Sequence, residues 1–150
     1  MTGTYAATTS VSVDSSIQEI RRTIRRYKAD RFAYAESTTS ATVGFEASGR
    51  KVRFDLPLPD RAKFRVTPAG RARTSAGAID EAHEQACRQV WRALALVIKA
   101  KLEAVEAGIV TFEQEFGMHM VLPDGRTVAE TVIPAITTAY NTGGPLELTA

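Results

Sequence analysis

The pattern of apolar and polar positions first predicts a helix. Apolar residues recur at helical spacing near the N-terminus, in a stripe made of Ile17, Ile20, Ile24 and Tyr27. Such a stripe is typical of an amphipathic helix that packs one face against a core. Ser16 and Glu19 fit a capping box at its start, in which each side chain accepts a hydrogen bond from the backbone N–H of the other. We therefore expect Ser16 to cap the helix.

The period then shortens to two, which predicts strands. Alternating segments cover residues 31–37, 41–48 and 51–57, and short turn-forming stretches join them. This spacing predicts an antiparallel meander with one buried face. A fourth strand, at the sheet edge, is predicted over residues 62–66.

A helical period returns over residues 79–107 and predicts a helix roughly 43 Å long that crosses the whole sheet. Its wide apolar stripe favours contacts with other subunits as well. A short helix capped by Thr111, a hairpin or tight turn around residues 123–125, and a last helix over residues 133–140 with Pro134 in its first turn follow. The predicted fold class is α+β: an N-terminal helix, a three- to four-stranded antiparallel meander, one long helix packed across it, and a C-terminal small helix and hairpin.

Composition indicates one soluble globular domain, since 44% of the 150 residues are hydrophobic and 24% are charged. We expect a disordered arm over residues 1–14, a single α+β domain over residues 15–140 with a mobile basic loop at about 66–77, and a tail over residues 141–150. A lone cysteine excludes a disulfide framework and fits a reducing compartment. Without a secretory signal or an apolar run near the roughly 18 residues of a membrane span, a cytoplasmic protein with no membrane contact is expected.

The net charge of +2 conceals a division of the chain. Residues 21–73 contain fourteen Lys or Arg against five acidic residues, whereas residues 74–150 contain five against ten. Arg21 and Arg25 are a like-charge pair one helical turn apart, as are Arg22 and Arg26, and such pairs cost helix stability unless an anion compensates them. An anionic partner is therefore expected.

Nucleic acid is the simplest such partner, because the basic excess continues from the helix into the sheet and the loop. The predicted contacts are Arg21, Arg22, Arg25, Arg26, Lys28, Arg31, Lys51, Arg53, Arg61, Lys63, Arg65, Arg71 and Arg73. Tyr27, Phe32 and Tyr34 would stack on bases if exposed, but the alternation favours core roles for Phe32 and Tyr34. An acidic protein surface, including the C-terminal half of a second copy, is the alternative partner.

Reactive side chains form no catalytic or metal-binding motif in the sequence. His83 and His119 have no Cys or His partner at metal-ligand spacing, and Cys87 is predicted to be buried filler on the helix stripe. No catalytic residue, metal ligand or cofactor is therefore predicted. The enzymatic alternative is a Mg²⁺-dependent nuclease built from the polar strand residues Glu46, Lys51, Arg53 and Asp55, although the polar face of any antiparallel hairpin has this composition.

Several segments between residue 17 and the C-terminus resemble small proteins encoded by bacteriophages of actinobacteria. These segments are DRFAYAES, VRFDLPLP, WRALALVIKAKLEAVEAGIVTFEQEF and VLPDGRTVAE. The basic meander followed by one long helix is also similar in architecture to phage single-strand annealing proteins of the Red-beta and Erf-like type. That resemblance implies subunits assembled into rings or filaments that hold single-stranded DNA in a positive groove.

Together these features predict a non-enzymatic nucleic-acid-binding protein in the bacterial host cytoplasm. It is expected to form a homo-oligomer, to favour single-stranded DNA, and to act in phage DNA replication or recombination. The alternatives are an interaction or assembly protein, including an inhibitor of a host enzyme, and the Mg²⁺-dependent nuclease.

Overall fold

A computed structural model describes residues 6–148 and shows an α+β fold. The elements, in chain order, are α1 (Val13–Arg26), β1 (Asp30–Glu36), β2 (Ser40–Ala47), β3 (Arg50–Pro57), α2 (Ala76–Glu106), α3 (Phe112–Phe116) and α4 (Val128–Thr142). Short 3-10 helices occupy Arg61–Arg65 and Gly117–His119. The predicted fold class is confirmed.

The cap of α1 is Ser12, four residues before the predicted cap. The Ser12 hydroxyl oxygen accepts a hydrogen bond from the Ser15 N–H at 3.1 Å. Ser16 lies buried within the helix, and the Glu19 carboxylate pairs with an arginine of α2. The predicted capping box is therefore wrong, whereas the predicted isoleucine stripe is buried as expected.

The chain before α1 packs against α2. Ala6 is buried, and the carbonyl oxygens of Ala7 and Thr9 accept hydrogen bonds from the side-chain amides of Gln85 and Gln89. Residues 6–14 thus differ from the predicted disordered arm, because these backbone carbonyls have partners on α2. The first five residues of that predicted arm lie outside the described part of the chain.

α1 and α2 run parallel. Glu19 of α1 pairs with Arg92 of α2, and further along both helices the Tyr27 hydroxyl donates a hydrogen bond to the Glu103 carboxylate. α2 has 31 residues, begins three residues before the predicted start, and is capped by the Ser75 hydroxyl. Its buried residues are Trp91, Leu94, Ala95, Ile98 and Leu102.

The sheet is an antiparallel meander in the order β1-β2-β3, as predicted. Residues on its inner face are buried with the stripes of α1 and α2 in one core cluster; they are Val43, Phe45, Val52 and Phe54. Phe116 of α3 completes this core, with its ring edge-on to Phe45 and Phe54 at centroid distances of 5.9 and 6.4 Å.

The predicted fourth strand is wrong, because most of its residues form a 3-10 helix. The Asp60 carboxylate accepts a hydrogen bond from the Ala62 N–H at 2.9 Å and caps that helix. An aspartate there offers the backbone a local hydrogen bond that competes with strand pairing. The predicted mobile loop follows, and it is closed by a bridge between Val66 and Ala72.

The C-terminal part opens with the predicted tight turn, in which the Leu122 N–H donates to the Arg126 carbonyl. Thr127 and Glu130 then form a capping box, so α4 begins five residues before the predicted start. Pro134 consequently lies in the middle of the helix, and its prediction in the first turn is wrong. The helix extends to residue 142, and the rest of the predicted tail follows without regular structure as far as residue 148.

Candidate nucleic-acid interface

The solvent face of α1 is basic. Because the isoleucines turn inward, Arg22, Arg25 and Arg26 are exposed and Arg21 is half-buried, and an exposed Lys28 follows the helix directly. None of these five side chains forms an ion pair with any residue between 6 and 148. Their mutual repulsion is therefore not compensated within the part of the chain that the structure describes.

Two basic residues after α1 adopt left-handed backbone conformations, Lys28 with φ 61° and Arg31 with φ 52°. At Lys28 the turn is a Schellman motif, since the Ala29 N–H donates to the Ile24 carbonyl at 2.8 Å and the Lys28 N–H donates to the Arg25 carbonyl at 3.0 Å. Glycine usually occupies this position, because a side chain there costs roughly 1–2 kcal/mol. Strained positions of this kind cluster at functional sites.

This turn brings three arginines around one cleft between the end of α1 and the start of β1. The cleft has a volume of about 310 Å³ and is lined by Arg21, Arg25 and Arg31, together with Ile24, Ala29, Asp30 and Phe32. The Asp30 carboxylate accepts a hydrogen bond from the Arg31 N–H at 2.7 Å, at the bulge where the pairing of β1 with β2 shifts register. We call Arg21, Arg25 and Arg31 the arginine cleft.

Arg31 is the one member of the arginine cleft with an acidic partner in the described chain. Its guanidinium lies 3.5 Å from the Glu46 carboxylate, and its side chain is 72% exposed. An ion pair this exposed contributes little to stability. Arg31 therefore remains available to an incoming anion.

Aromatic rings extend from the arginine cleft along β1. The Arg21 guanidinium lies 5.3 Å from the centre of the Phe32 ring, and the Phe32 and Tyr34 rings are 6.1 Å apart. Phe32 is partly buried, in agreement with its predicted core role, but Tyr34 is 45% exposed although its ring contacts Trp91 edge-on. Tyr34 is more exposed than the alternation predicts because β1 is an edge strand.

Three of the other predicted contact residues bind groups within the chain. The Arg53 guanidinium pairs with Asp55 and Glu130 and donates to the Gly125 carbonyl. Arg61 pairs with Asp80 at 2.6 Å. Arg73 donates to the backbone carbonyls of Phe64 and Val66, at 2.9 Å each. A phosphate at any of these three arginines would therefore have to replace existing partners.

Among the remaining predicted contacts, Lys51 lies next to the arginine cleft, whereas the basic residues after β3 lie apart from it. The Lys51 ammonium is 3.9 Å from the Glu46 carboxylate with which Arg31 also pairs, and Lys51 and Arg31 line one cavity on the outer face of the sheet. Lys63, Arg65 and Arg71 are exposed on the 3-10 helix and the loop after it. That region meets α2 at Asp80, whereas the end of α1 meets α2 at Glu103. The two basic regions are thus about 35 Å apart along α2.

The carboxylates named for a nuclease are also separated. Glu46 lies opposite Lys51 and Asp55 lies opposite Thr42, four residues along β2 from Glu46. At about 3.3 Å per residue this places the two backbone positions roughly 13 Å apart along the strand, and the carboxylates pair with different basic side chains, Glu46 with Arg31 and Lys51 and Asp55 with Arg53. Residues 6–148 contain no group of three or more His, Cys, Asp or Glu side chains that could hold a metal.

Sequence reasoning missed the pair formed by His83 and Cys87, although a spacing of four residues on a helix would have found it. The Cys87 thiol lies 3.6 Å from His83 Nε2. That nitrogen is also 2.9 Å from the Pro59 carbonyl, which can only accept, so Nε2 carries its proton and cannot activate the thiol. Burial, with Glu36 and Glu84 nearby, raises the pKa of Cys87. The pair is therefore not a nucleophilic site.

In the part of the chain that the structure describes, every helix is too short or too polar to cross a membrane. Comparisons of the chain with protein-family models, with curated proteins and with solved structures found no match.

Proposed function

We propose that this protein is a non-enzymatic nucleic-acid-binding protein that contacts phosphates through the arginine cleft and the basic face of α1. One observation carries the proposal: five basic side chains from Arg21 to Lys28 lack an acidic partner among residues 6–148. Phosphate is a suitable anion, because the planar guanidinium group donates two parallel hydrogen bonds to it. Three such groups around one cleft can bind a backbone phosphate together, whereas a single arginine elsewhere on the surface would contact it alone.

Single-stranded DNA is the favoured ligand because the ring of Tyr34 is exposed and can stack on an unpaired base. Tyr34 follows the arginine cleft along the free edge of the sheet, so a strand whose phosphates contact the arginines can place bases near this ring. Single strands offer unpaired base faces, and stacking on an aromatic ring stabilises binding by about 1–3 kcal/mol per base. The resemblance to phage annealing proteins supports a homo-oligomer that acts in DNA replication or recombination.

The proposal is tested by fluorescence anisotropy with labelled single-stranded DNA, double-stranded DNA and RNA at about 50 and about 200 mM salt. Wild-type affinity is expected to fall steeply with salt. Each lost phosphate contact to a single strand flattens the slope of log K against log salt by about 0.7, so Arg21→Gln/Arg25→Gln should flatten it by about 1.4. The matched control is Lys63→Gln/Arg71→Gln, which removes two exposed positive charges in the basic region about 35 Å away along α2.

A second variant separates stacking from charge. Tyr34→Leu should weaken binding to single-stranded DNA with little change in the salt slope, and should affect double-stranded DNA much less.

Three results would overturn the proposal. The first is absence of binding to any nucleic acid at low salt, and the second is an affinity insensitive to salt. The third is an equal change of slope in the arginine-cleft variant and in the control variant. Competition by polyglutamate as effective as that by DNA would instead identify an acidic protein surface as the ligand.

A further inference from the structure

α4 is an apolar helix that its own chain does not bury. None of its 15 residues is buried, and Glu130 is its one charged residue. Ile133 is 51% exposed and Tyr140 is 86% exposed, and with Ile136 they form a stripe at positions i, i+3 and i+7. We call these three residues the α4 stripe. A helix with an apolar stripe of this kind normally packs against another surface.

The C-terminal tail does not cover the α4 stripe. The tail lies along another face of the helix, in a cavity that Thr131, Pro134 and Thr138 share with Pro145 and Leu148. Thr131 and Ile133 are two residues apart, which places them about 200° apart around the helix axis. The tail and the α4 stripe are therefore on opposite sides of α4.

The outer face of the sheet is a second apolar surface, and its floor consists of small residues. Ala33 lies opposite Gly44 and Ala35 lies opposite Thr42, and these four residues form the floor of a cavity of about 350 Å³. We call them the sheet trough. Arg31, Lys51 and Arg53 line its sides, together with Glu46. Small side chains allow another backbone to approach the sheet closely.

We propose that the α4 stripe of one copy packs into the sheet trough of a second copy, and that the contact is reciprocal. The charges are compatible, because the α4 stripe is uncharged and the chain beyond residue 127 has no basic residue that would repel the basic side chains lining the trough. α4 also starts beside the trough of its own copy, where Glu130 pairs with Arg53, and then leads away from it. A two-fold axis near this point places each α4 over the other sheet.

The lengths of α4 and β2 agree with a stable dimer. A helix of 15 residues is about 22 Å long, and β2, with eight residues, spans about 26 Å. A specific protein–protein interface buries roughly 1,600 Å² in total, so each of the four surfaces in two reciprocal contacts has to bury about 400 Å². This inference deepens the homo-oligomer of the proposed function and does not require nucleic acid.

The test is light scattering after size-exclusion chromatography, without nucleic acid. The wild-type protein is expected to be a dimer, and both Ile133→Glu and Ala35→Lys are expected to be monomers. An equal mixture of these two variants should recover a dimer, because one contact is then wild-type and the other pairs Glu with Lys. Ile109→Glu, at an apolar residue 76% exposed in the turn after α2, is the matched control and should remain a dimer.

Other outcomes would overturn the inference. A monomeric wild-type protein would do so, as would two variants that both remain dimers. Dissociation by Ile133→Glu but not by Ala35→Lys would show that α4 pairs with α4. Tyr140→Glu, at a side chain too exposed to affect folding, provides a second test of the stripe. Arg21→Gln/Arg25→Gln should remain a dimer, so failure of this interface and failure of nucleic-acid binding are distinguished.

Discussion

Replacing Ser16 by alanine should stabilise the protein. If Ser16 capped α1, as the sequence pattern indicates, the substitution would cost about 1 kcal/mol. In the structure Ser16 is fully buried within α1, and its hydroxyl oxygen has no hydrogen-bond partner among residues 6–148. A helix capped by Ser16 and a helix capped by Ser12 therefore predict opposite changes in the free energy of unfolding for Ser16→Ala.

Three contributions determine the magnitude. Removal of a buried hydroxyl without a partner gains about 1–3 kcal/mol. Alanine adds about 0.5 kcal/mol of helix propensity relative to serine. The void left by one oxygen atom costs about 0.4 kcal/mol. We expect Ser16→Ala to raise the free energy of unfolding by about 1–3 kcal/mol and Tm by about 3–9 °C.

Equilibrium unfolding in urea measures this change, with the fluorescence of Trp91, the single tryptophan, as the probe of the core. The m-value should stay unchanged, because the substitution alters stability and not the surface exposed on unfolding. Ser12→Ala is the paired control, and it should lower the free energy of unfolding by about 1 kcal/mol through loss of the true cap. A loss of stability in Ser16→Ala as large as that in Ser12→Ala would refute this assignment of the caps.

Two further predictions concern the core below the sheet. Burial and the nearby Lys101 lower the pKa of His119, whose ring stacks on Phe54 at a centroid distance of 4.2 Å. Below about pH 6.5 the unfolded state therefore binds more protons than the folded state, so Tm should fall as the pH drops. Because the pKa shift of His119 causes this fall, His119→Phe should reduce it. Phe116→Ala should lower the free energy of unfolding by about 3–5 kcal/mol, because its fully buried ring joins α3 to the sheet; a loss below about 1 kcal/mol in urea unfolding would contradict this role.

The helices and strands were predictable where burial acts at a regular interval. The isoleucines of α1 and the alternating residues of β2 and β3 show the intervals of a helix and of a strand, and both patterns are confirmed. Helix ends were less predictable, because any Ser or Thr followed three residues later by Glu fits the same pattern. At Ser16 that pattern occurs inside a helix, whereas at Thr127 it marks a true start.

The candidate site was predictable in composition but not in geometry. Charge alone does not distinguish Arg53, which has three partners within the chain, from Arg25, which forms no ion pair within residues 6–148. The arginine cleft also depends on left-handed conformations at Lys28 and Arg31, and neither is a glycine or asparagine that would have marked such a turn. These features depend on tertiary contacts, which a pattern of residue types does not contain.

The central place of α2 in the core has a consequence for synthesis on the ribosome. α1 and the three strands emerge first, but the residues that cover them, from Trp91 to Leu102, are made some 35 residues after β3 ends. Until then the isoleucines of α1 and the inner face of the sheet lack α2, the helix that completes their burial, and such nascent surface is prone to aggregate. Folding of this chain therefore waits for α2, and a fragment ending before residue 76 is expected to remain unfolded.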